Sequence, residues 1–453
     1  MKRILAIFLI IAICLSFTSC EYTFLSVENL MRPPKLSGED SVLQAAFEDS
    51  VSEFDNYVMK TPFNGNYRSS YILFDIDNDD VEEAIVLYSV PSKDNSVIAK
   101  IFEYSDGKWY NTSQINSNHS EVYEINFADI NGDGCCEILL SWINTPHIDE
   151  SVDSIRNLSY TLEIYKYDGI KIDLIVTESY TNLFFKDFNN NNSDEILIFK
   201  VNFSDINNLT TVRLLSFNEE YSVCYDKVIS ISDMLEIDSI VSDKIVLDGK
   251  NISRVFVDGA FSETETITEI IEIDEKNFEI SLPIYHDNMS INPSTLRKSK
   301  ITCMDVDRDG IIDVPTIEVF PFSQRISSNK IEPLNLIVWS EYVNNSFVVK
   351  HKTILNSKLG HLAIIPDDFI GKISAIYDEE NLNLTFYSVN SKGVFESALF
   401  SFRIFTIPDW EENSYNYEML QSNDTYVYSY LIFKADNYEV YKKYITENFF
   451  TLK

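Results

Sequence analysis

The stretch Asp75-Ile-Asp-Asn-Asp-Asp-Val-Glu-Glu83 returns three more times in altered form. The copies are Asp129-Ile-Asn-Gly-Asp-Gly-Cys-Cys-Glu137, Asp187-Phe-Asn-Asn-Asn-Asn-Ser-Asp-Glu195 and Asp305-Val-Asp-Arg-Asp-Gly-Ile-Ile-Asp313. Each has an oxygen-bearing side chain at positions one, three, five and nine, and an apolar residue at position two. Calcium takes roughly six to eight oxygen ligands in a flexible shell. Alternate residues of a tight loop point inward, position seven can add a carbonyl, and position nine closes the shell. Position six is Gly, Asn or Asp, the residue types that turn sharply at least cost.

What flanks the loops decides the fold class. An EF-hand needs a glutamate at its twelfth position and a helix on each side. Here Tyr71-Ile-Leu-Phe74 and Glu124-Ile-Asn-Phe127 precede loops, and Glu83-Ala-Ile-Val-Leu-Tyr88 and Glu195-Ile-Leu-Ile-Phe199 follow them. These runs are strand-like. The unit is strand, loop, strand.

Spacing makes the loops a repeat. Asp129 lies 54 residues after Asp75, Asp187 lies 58 after Asp129, and Asp305 lies 118 after Asp187, twice 59. A unit that has lost its loop is therefore expected near residue 246, where Lys244–Gly249 and Arg254–Gly259 fit a degenerate copy. A hairpin recurs later in each unit: Ile101–Trp109, Ile164–Gly169, Leu214–Glu219, Ile271–Asp274 and Val338–Asn344, with acidic or amide residues at the turn. Five units of four strands, each too thin to bury both faces, must pack on one another. Radial closure is the usual outcome for such units, and an open stack is the competing geometry.

The loops resemble the FG-GAP/VCBS-type calcium repeats of integrin α-chain propellers and bacterial surface proteins, over roughly residues 70 to 355. The resemblance implies a mainly β fold: a β-propeller of about five four-stranded blades with DxDxDG-type calcium loops. It implies Ca2+ as the cofactor. As direct ligands it implies Asp75, Asp77, Asp79 and Glu83; Asp129, Asn131, Asp133 and Glu137; Asp187, Asn189, Asn191 and Glu195; and Asp305, Asp307, Asp309 and Asp313. The phenylalanine-glycine pair behind the family name is poorly kept, and integrin propellers have seven blades, so blade number does not transfer.

The N-terminus carries an address. Lys2 and Arg3 form a basic head, an apolar run extends from Ile4 to about Phe17, and Thr18-Ser19-Cys20 follows. This is a secretory signal pattern. The cysteine after small residues resembles a bacterial lipobox, with Phe17 where Leu is usual, and implies diacylation of Cys20. The chain then divides into a signal at 1–19, an anchor, linker and short helix at 20–69, repeats at 70–356 and a C-terminal α+β domain at 357–453. The short helix is expected from Ser37-Gly-Glu-Asp40 onward, with Leu43, Ala46, Phe47, Val51 and Phe54 on one face. In the C-terminal domain, a helix is expected near Pro408–Glu412. Another starts at Asp436 and carries Val440, Tyr441, Tyr444, Ile445 and Phe449 on one side.

Charge and composition narrow the function. A formal charge of −35, more negative once Lys2 and Arg3 leave, repels phosphate backbones and anionic lipid. Nucleic acid is excluded as a partner, and membrane attachment falls to the lipid anchor. Of six cysteines, Cys14 leaves with the signal and Cys20 takes lipid, while Cys135, Cys136, Cys224 and Cys303 form neither a zinc pattern nor a disulfide framework. The five histidines (His119, His147, His286, His351 and His361) sit in no metal or nucleophile motif. The expectation is a cell-surface calcium-binding lipoprotein, exposed outside the cytoplasm, that binds a protein or glycan without catalysis. A calcium-dependent carbohydrate-active enzyme and a purely structural envelope protein are the alternatives.

Overall fold

Near-continuous apolar runs in this chain become central strands. The computed structural model describes residues 39–54, 56–144, 159–201, 210–284, 293–327, 330–356 and 360–451. Glu83–Ser89 is buried along its whole length, and Glu137–Ile143 and Glu195–Lys200 nearly so. Such strands are covered on both faces, which is why they read as unbroken hydrophobic runs. Two strands further along each sheet, Lys108–Asn116, Ile172–Tyr180 and Val223–Ile231 alternate or lie largely exposed. Each of these three sheets therefore grades from a dry second strand to a wetter fourth one.

The protein is mainly β. The first sheet runs Tyr71–Phe74, Glu83–Ser89, Val97–Ser105, Lys108–Asn116, with Val58–Met59 also paired to its second strand. The second runs Val122–Ala128, Glu137–Ile143, Tyr160–Tyr167, Ile172–Tyr180. The third runs Asn182–Lys186, Glu195–Lys200, Thr210–Phe217, Val223–Ile231, and the fourth Glu236–Leu247, Lys250–Ala260, Thr266–Asp274, Ile280–Ser281. All four are antiparallel meanders. The fifth sheet, Val314–Val319, Asn335–Val343, Ser346–Asn356, His361–Ile364, follows the same plan and adds Phe449–Thr451 at its edge.

The recurring hairpins join third to fourth strands in the first four sheets, and second to third in the fifth. Asp106-Gly107 and Asn344-Asn345 both take left-handed backbone at the two turn positions, the conformation a two-residue hairpin demands. The expected degenerate unit near 246 is the fourth sheet. Its first two strands are joined by Asp248-Gly249 alone, again left-handed at both residues, where the first three sheets carry the acidic loop; in the fifth that loop comes just before the first strand. The Arg254–Gly259 segment lies within its second strand, Lys250–Ala260.

The chain forms two compact units, Met1–Tyr180 and Thr181–Lys453. In the first, one core joins the first two sheets through Ile85, Leu87, Ile101, Ile138, Leu140 and Trp142. Helix α1, Glu39–Ser50, lays Leu43 and Phe47 on the first sheet, with Val51 just beyond it, where Phe47 meets Tyr57, Tyr71 and Tyr88 edge-on. In the second unit, Leu197, Leu214, Val255, Val257 and Ile271 join the third and fourth sheets, and Phe256, Ile270, Val314 and Tyr342 join the fourth and fifth. Each fully buried side chain of this kind stabilises the fold by roughly 1.5–3 kcal/mol.

The last part of the chain departs from a domain starting at 357. A seven-stranded sheet there takes two strands, Gln324–Ser327 and Lys330–Glu332, from the excursion between the first two strands of the fifth sheet. Gln324–Ser327 pairs parallel with Ile373–Asp378. In return His361–Ile364 and Phe449–Thr451 pair into the fifth sheet. Helix α2, Ile407–Asn413, forms where expected, capped by the Thr406 hydroxyl. Helix α3, Tyr438–Asn448, starts two residues later than expected, after a short turn at Ala435–Asn437. Ile445 is buried, Val440 is exposed, and Phe449 belongs to the following strand. No helix among the described residues is long and apolar enough to cross a membrane. Cys20 and the whole address segment lie outside the described residues.

Candidate metal centres

The four loops share one backbone trace. Positions four and six are left-handed in every copy: Asn78 and Asp80, Gly132 and Gly134, Asn190 and Asn192, Arg308 and Gly310. Two reversals two residues apart fold the chain into a cup. The sequence signals the reversal at position six. At position four, Asn and Gly in three loops were a signal that Arg308 obscured.

Hydrogen bonds hold the cup by position. The N–H of position six donates to Oδ2 of position one: Asp80 to Asp75 (3.1 Å), Gly134 to Asp129 (2.9 Å), Asn192 to Asp187 (3.0 Å) and Gly310 to Asp305 (2.9 Å). The N–H of position seven donates to the position-five side chain: Val81 to Asp79, Cys135 to Asp133, Ser193 to Asn191 and Ile311 to Asp309, all at 2.8–2.9 Å. The N–H of position two donates to the carboxylate of position nine: Ile76 to Glu83, Ile130 to Glu137, Phe188 to Glu195 and Val306 to Asp313, at 2.7–3.2 Å. Position two itself is core. Ile76, Ile130 and Phe188 are fully buried, which anchors the cup to its sheet.

The ninth residue is the unusual one. Glu83, Glu137, Glu195 and Asp313 are at most 2% exposed. Burial pushes the carboxyls of Glu83 and Glu195 up to about 7, and that of Asp313 up to about 6. Asp77 is also raised, by burial and then by the charges of Asp79 and Asp75. Carboxylates held this close in a dry site need a proton or a cation.

The first loop leaves oxygen atoms without a partner. Asp77 Oδ1 and Glu83 Oε1 are buried and accept no hydrogen bond, and Asn189 Oδ1 in the third loop is in the same state. Each buried acceptor left so costs about 1–3 kcal/mol. Asp75, Asp77 and Glu83 bring ligand atoms within 4.8 Å of one another, as do Asp305, Asp307 and Asp309. That donor set, oxygen only, fits a hard divalent cation.

The copies are not equal. In the first loop Asp79 stands outside the converging trio, and in the fourth Asp313 does, its side chain one methylene shorter than glutamate. In the second, the Asn131 amide donates to Asp133 Oδ2 (2.9 Å). In the third, the Asn189 amide donates to Glu195 Oε1 (2.7 Å), so an amide hydrogen occupies an oxygen that a cation would take. Asn190 of that loop bridges Lys244 and Glu275. His351 reaches the fourth loop, 2.9 Å from Asp307 Oδ2. Burial is the largest single influence on Asp307 and disfavours its charge, but the His351 bond, the Asp309 N–H and the charges of His351 and Lys350 together outweigh it and lower that carboxyl. Glu103 lies beside the first loop and accepts from Tyr167 Oη (2.6 Å). These neighbours come from distant strands and left no local mark in the sequence.

Carboxylates also gather at the fourth-sheet turns, where Asp248, Glu272, Asp274 and Glu279 line a hollow with Lys227 and Lys250. Asp274 is bonded to Lys250 (2.9 Å) and to the N–H groups of Lys276 and Asn277. Its work is to hold the turn.

No family profile matches this chain, and no curated protein matches it. Among solved structures it is similar to a hypothetical selenium-binding protein from Sulfolobus tokodaii, at 8% identity over 48% of this chain and 54% of that one, TM-score 0.29. The chain thus spans about half the length of that protein. It is also similar to an α-L-arabinofuranosidase from Lactobacillus brevis, at 7% identity over 64% and 92%, TM-score 0.28. A rhamnogalacturonan lyase from Bacillus licheniformis aligns at 10% identity over 75% and 76%, TM-score 0.30. None of these likenesses carries a functional assignment.

Proposed function

We propose that this protein is a lipid-anchored, cell-surface calcium-binding protein that serves as a non-catalytic binding module for a protein or glycan. In this reading its five meander sheets stand as blades of a β-propeller, with the small α+β part beside them. The observation that carries the calcium reading is the first loop, where Asp77 Oδ1 and the fully buried Glu83 Oε1 face the same cup with no protein donor. The anchor rests on Lys2-Arg3, the apolar run and Cys20. A surface this acidic adds no attraction to anionic lipid, so retention depends on the acyl chains.

Calorimetric titration with calcium, and melting with and without chelator, test the reading. Asp133→Ala should remove one bound ion, because a full charge leaves a loop turned by Gly134. Asn191→Ala should change the count less. Identical melting temperatures in calcium and in chelator would sink the calcium assignment. Cys20→Ser should release the protein from the membrane fraction or leave it as unprocessed precursor. Normal processing with membrane retention would place the anchor elsewhere. Retention on immobilised glycans or proteins that disappears with chelator is the expected sign of the binding module.

A further inference from the structure

Between the fifth sheet and the seven-stranded sheet lies a cavity of about 380 Å³ that the metal loops do not touch. Its lining is graded. Ile337, Leu384, Phe402 and Ile404 are each at most 6% exposed. Arg325 and Glu379, also lining it, keep 46% and 37% of their side chains exposed. The apolar residues are therefore the floor and the charged pair marks the mouth. Between them the amide of Asn356 donates to Tyr377 Oη at 3.2 Å.

We propose that this cavity binds a small monoanion with an apolar body, a carboxylate on an aliphatic or aromatic chain. At roughly 30 Å³ per water-sized group, the space holds about a dozen non-hydrogen atoms. An apolar cleft of this size with a few polar groups at one end is the usual form of a small-molecule site.

The mouth selects the charge. Arg325 donates from Nη2 to Glu379 Oε1 at 2.7 Å. A half-exposed pair of this kind is worth about 0–1 kcal/mol, so an incoming carboxylate can take the guanidinium from Glu379 at little cost. The planar fork of arginine suits a carboxylate in a two-pronged contact.

The rim is set by the turn that joins Ile373–Asp378 to Asn383–Val389. Leu382 lines the cavity with φ +49°, left-handed backbone that a branched apolar residue rarely adopts. Its carbonyl accepts from the N–H of Ile404, 3.2 Å. The floor is preformed too, since Phe402 stacks on Phe449 at 4.9 Å.

The test is calorimetric titration of the full chain with decanoate, decylamine and acetate. Decanoate should bind at one site, acetate should not, and decylamine should bind at least about tenfold more weakly. Arg325→Gln, a surface change, should weaken decanoate about tenfold or more while leaving the melting temperature in place. Leu355→Trp, on the half-buried wall, should block the cavity. Leu384→Trp would do the same from the floor if it folds. No binding of decanoate, equal binding of decylamine, or unchanged affinity in Arg325→Gln or Leu355→Trp would each overturn the proposal. None of these outcomes depends on calcium.

Discussion

The first and fourth sheets meet one problem at the same place in their plan and solve it differently. In the first, eight residues join the opening strands, and the buried Glu83 carboxylate has a backbone donor on one oxygen and nothing on the other. In the fourth, Asp248-Gly249 joins them, and a buried carboxylate still stands close by, Asp243. Arg254 on the facing strand donates to it from Nε at 2.8 Å and again from Nη2, with both side chains fully buried. The N–H of Ile312 donates to the same carboxylate at 2.8 Å, and Arg254 Nη1 donates to the carbonyl of Tyr342 at 2.6 Å. One sheet leaves its buried carboxylate oxygen without a protein donor, and the other meets its carboxylate with a covalently attached cation.

The harshest way to break this contrast is to remove the attached cation. Arg254→Ala strands Asp243 in the core and should destabilise the second unit by about 3–5 kcal/mol, in calcium and in chelator alike. Denaturant unfolding in both conditions reads it. Restoring stability by pairing Arg254→Met with Asp243→Leu would show that the charge, not the position, matters.

Withdrawing calcium comes next. Binding to the folded state alone stabilises by about 2.7 kcal/mol at a hundredfold excess over the dissociation constant. Glu83→Gln should abolish the share of the melting shift that belongs to the first loop, while Asp243 and Arg254 stay indifferent. A melt of Glu83→Gln that still shifts by the full amount would merge the two sheets into one class.

Acidity sharpens the comparison further. In metal-free protein Glu83 and Glu195 hold their protons up to about 7, and Asp313 to about 6, against ordinary values near 4.5 and 3.8. Folded carboxyls that bind protons more tightly than unfolded ones stabilise at low pH and lose that contribution as pH rises through the folded value. Metal-free protein should therefore weaken between pH 4.5 and 7, and calcium should matter most above 7. Calcium affinity should fall as pH drops through that window, since ligands must be deprotonated. Melting temperatures across pH in metal-free and calcium-loaded samples decide it, and parallel curves would contradict the assignment.

The smallest effect concerns the fourth loop alone. Arg308 takes φ +64°, which costs a side-chain-bearing residue about 1–2 kcal/mol. Arg308→Gly recovers part of that and loses it to added freedom in the unfolded chain, for a net gain of about 1 kcal/mol or less. A lowered melting temperature would mean that the arginine has a partner worth keeping.

How much of this was legible in the sequence depended on distance along the chain. The cups, the hairpins and the missing loop near 246 are built from neighbours within about ten residues, and their turn chemistry is written locally. Asp243 and Arg254 were harder, because in a strand each looks like an ordinary polar residue until its burial is known. Position four escaped because Arg308 broke the pattern. The boundary at 357 misled for a different reason. The strands Gln324–Ser327 and His361–Ile364 cross it in opposite directions, and no periodicity in either announces which sheet it will join. His351 beside Asp307 belongs with these, since a contact 44 residues away leaves no spacing signal.

The exchange of strands across residue 357 has a kinetic side. Within each of the first four sheets, every strand of the four-strand meander pairs with the next one in the chain, so each can zip as it emerges, closing only short loops. The fifth cannot finish that way. Its edge pairs Leu362 with Phe450 and Ala363 with Phe449, so its last partner arrives some eighty-odd residues late, after the seven-stranded sheet has been laid down. Closing so long a loop slows folding more than it lowers stability. Until then Leu362, 1% exposed in the finished protein, waits beside an unpaired strand edge, the state in which β proteins join the wrong neighbour.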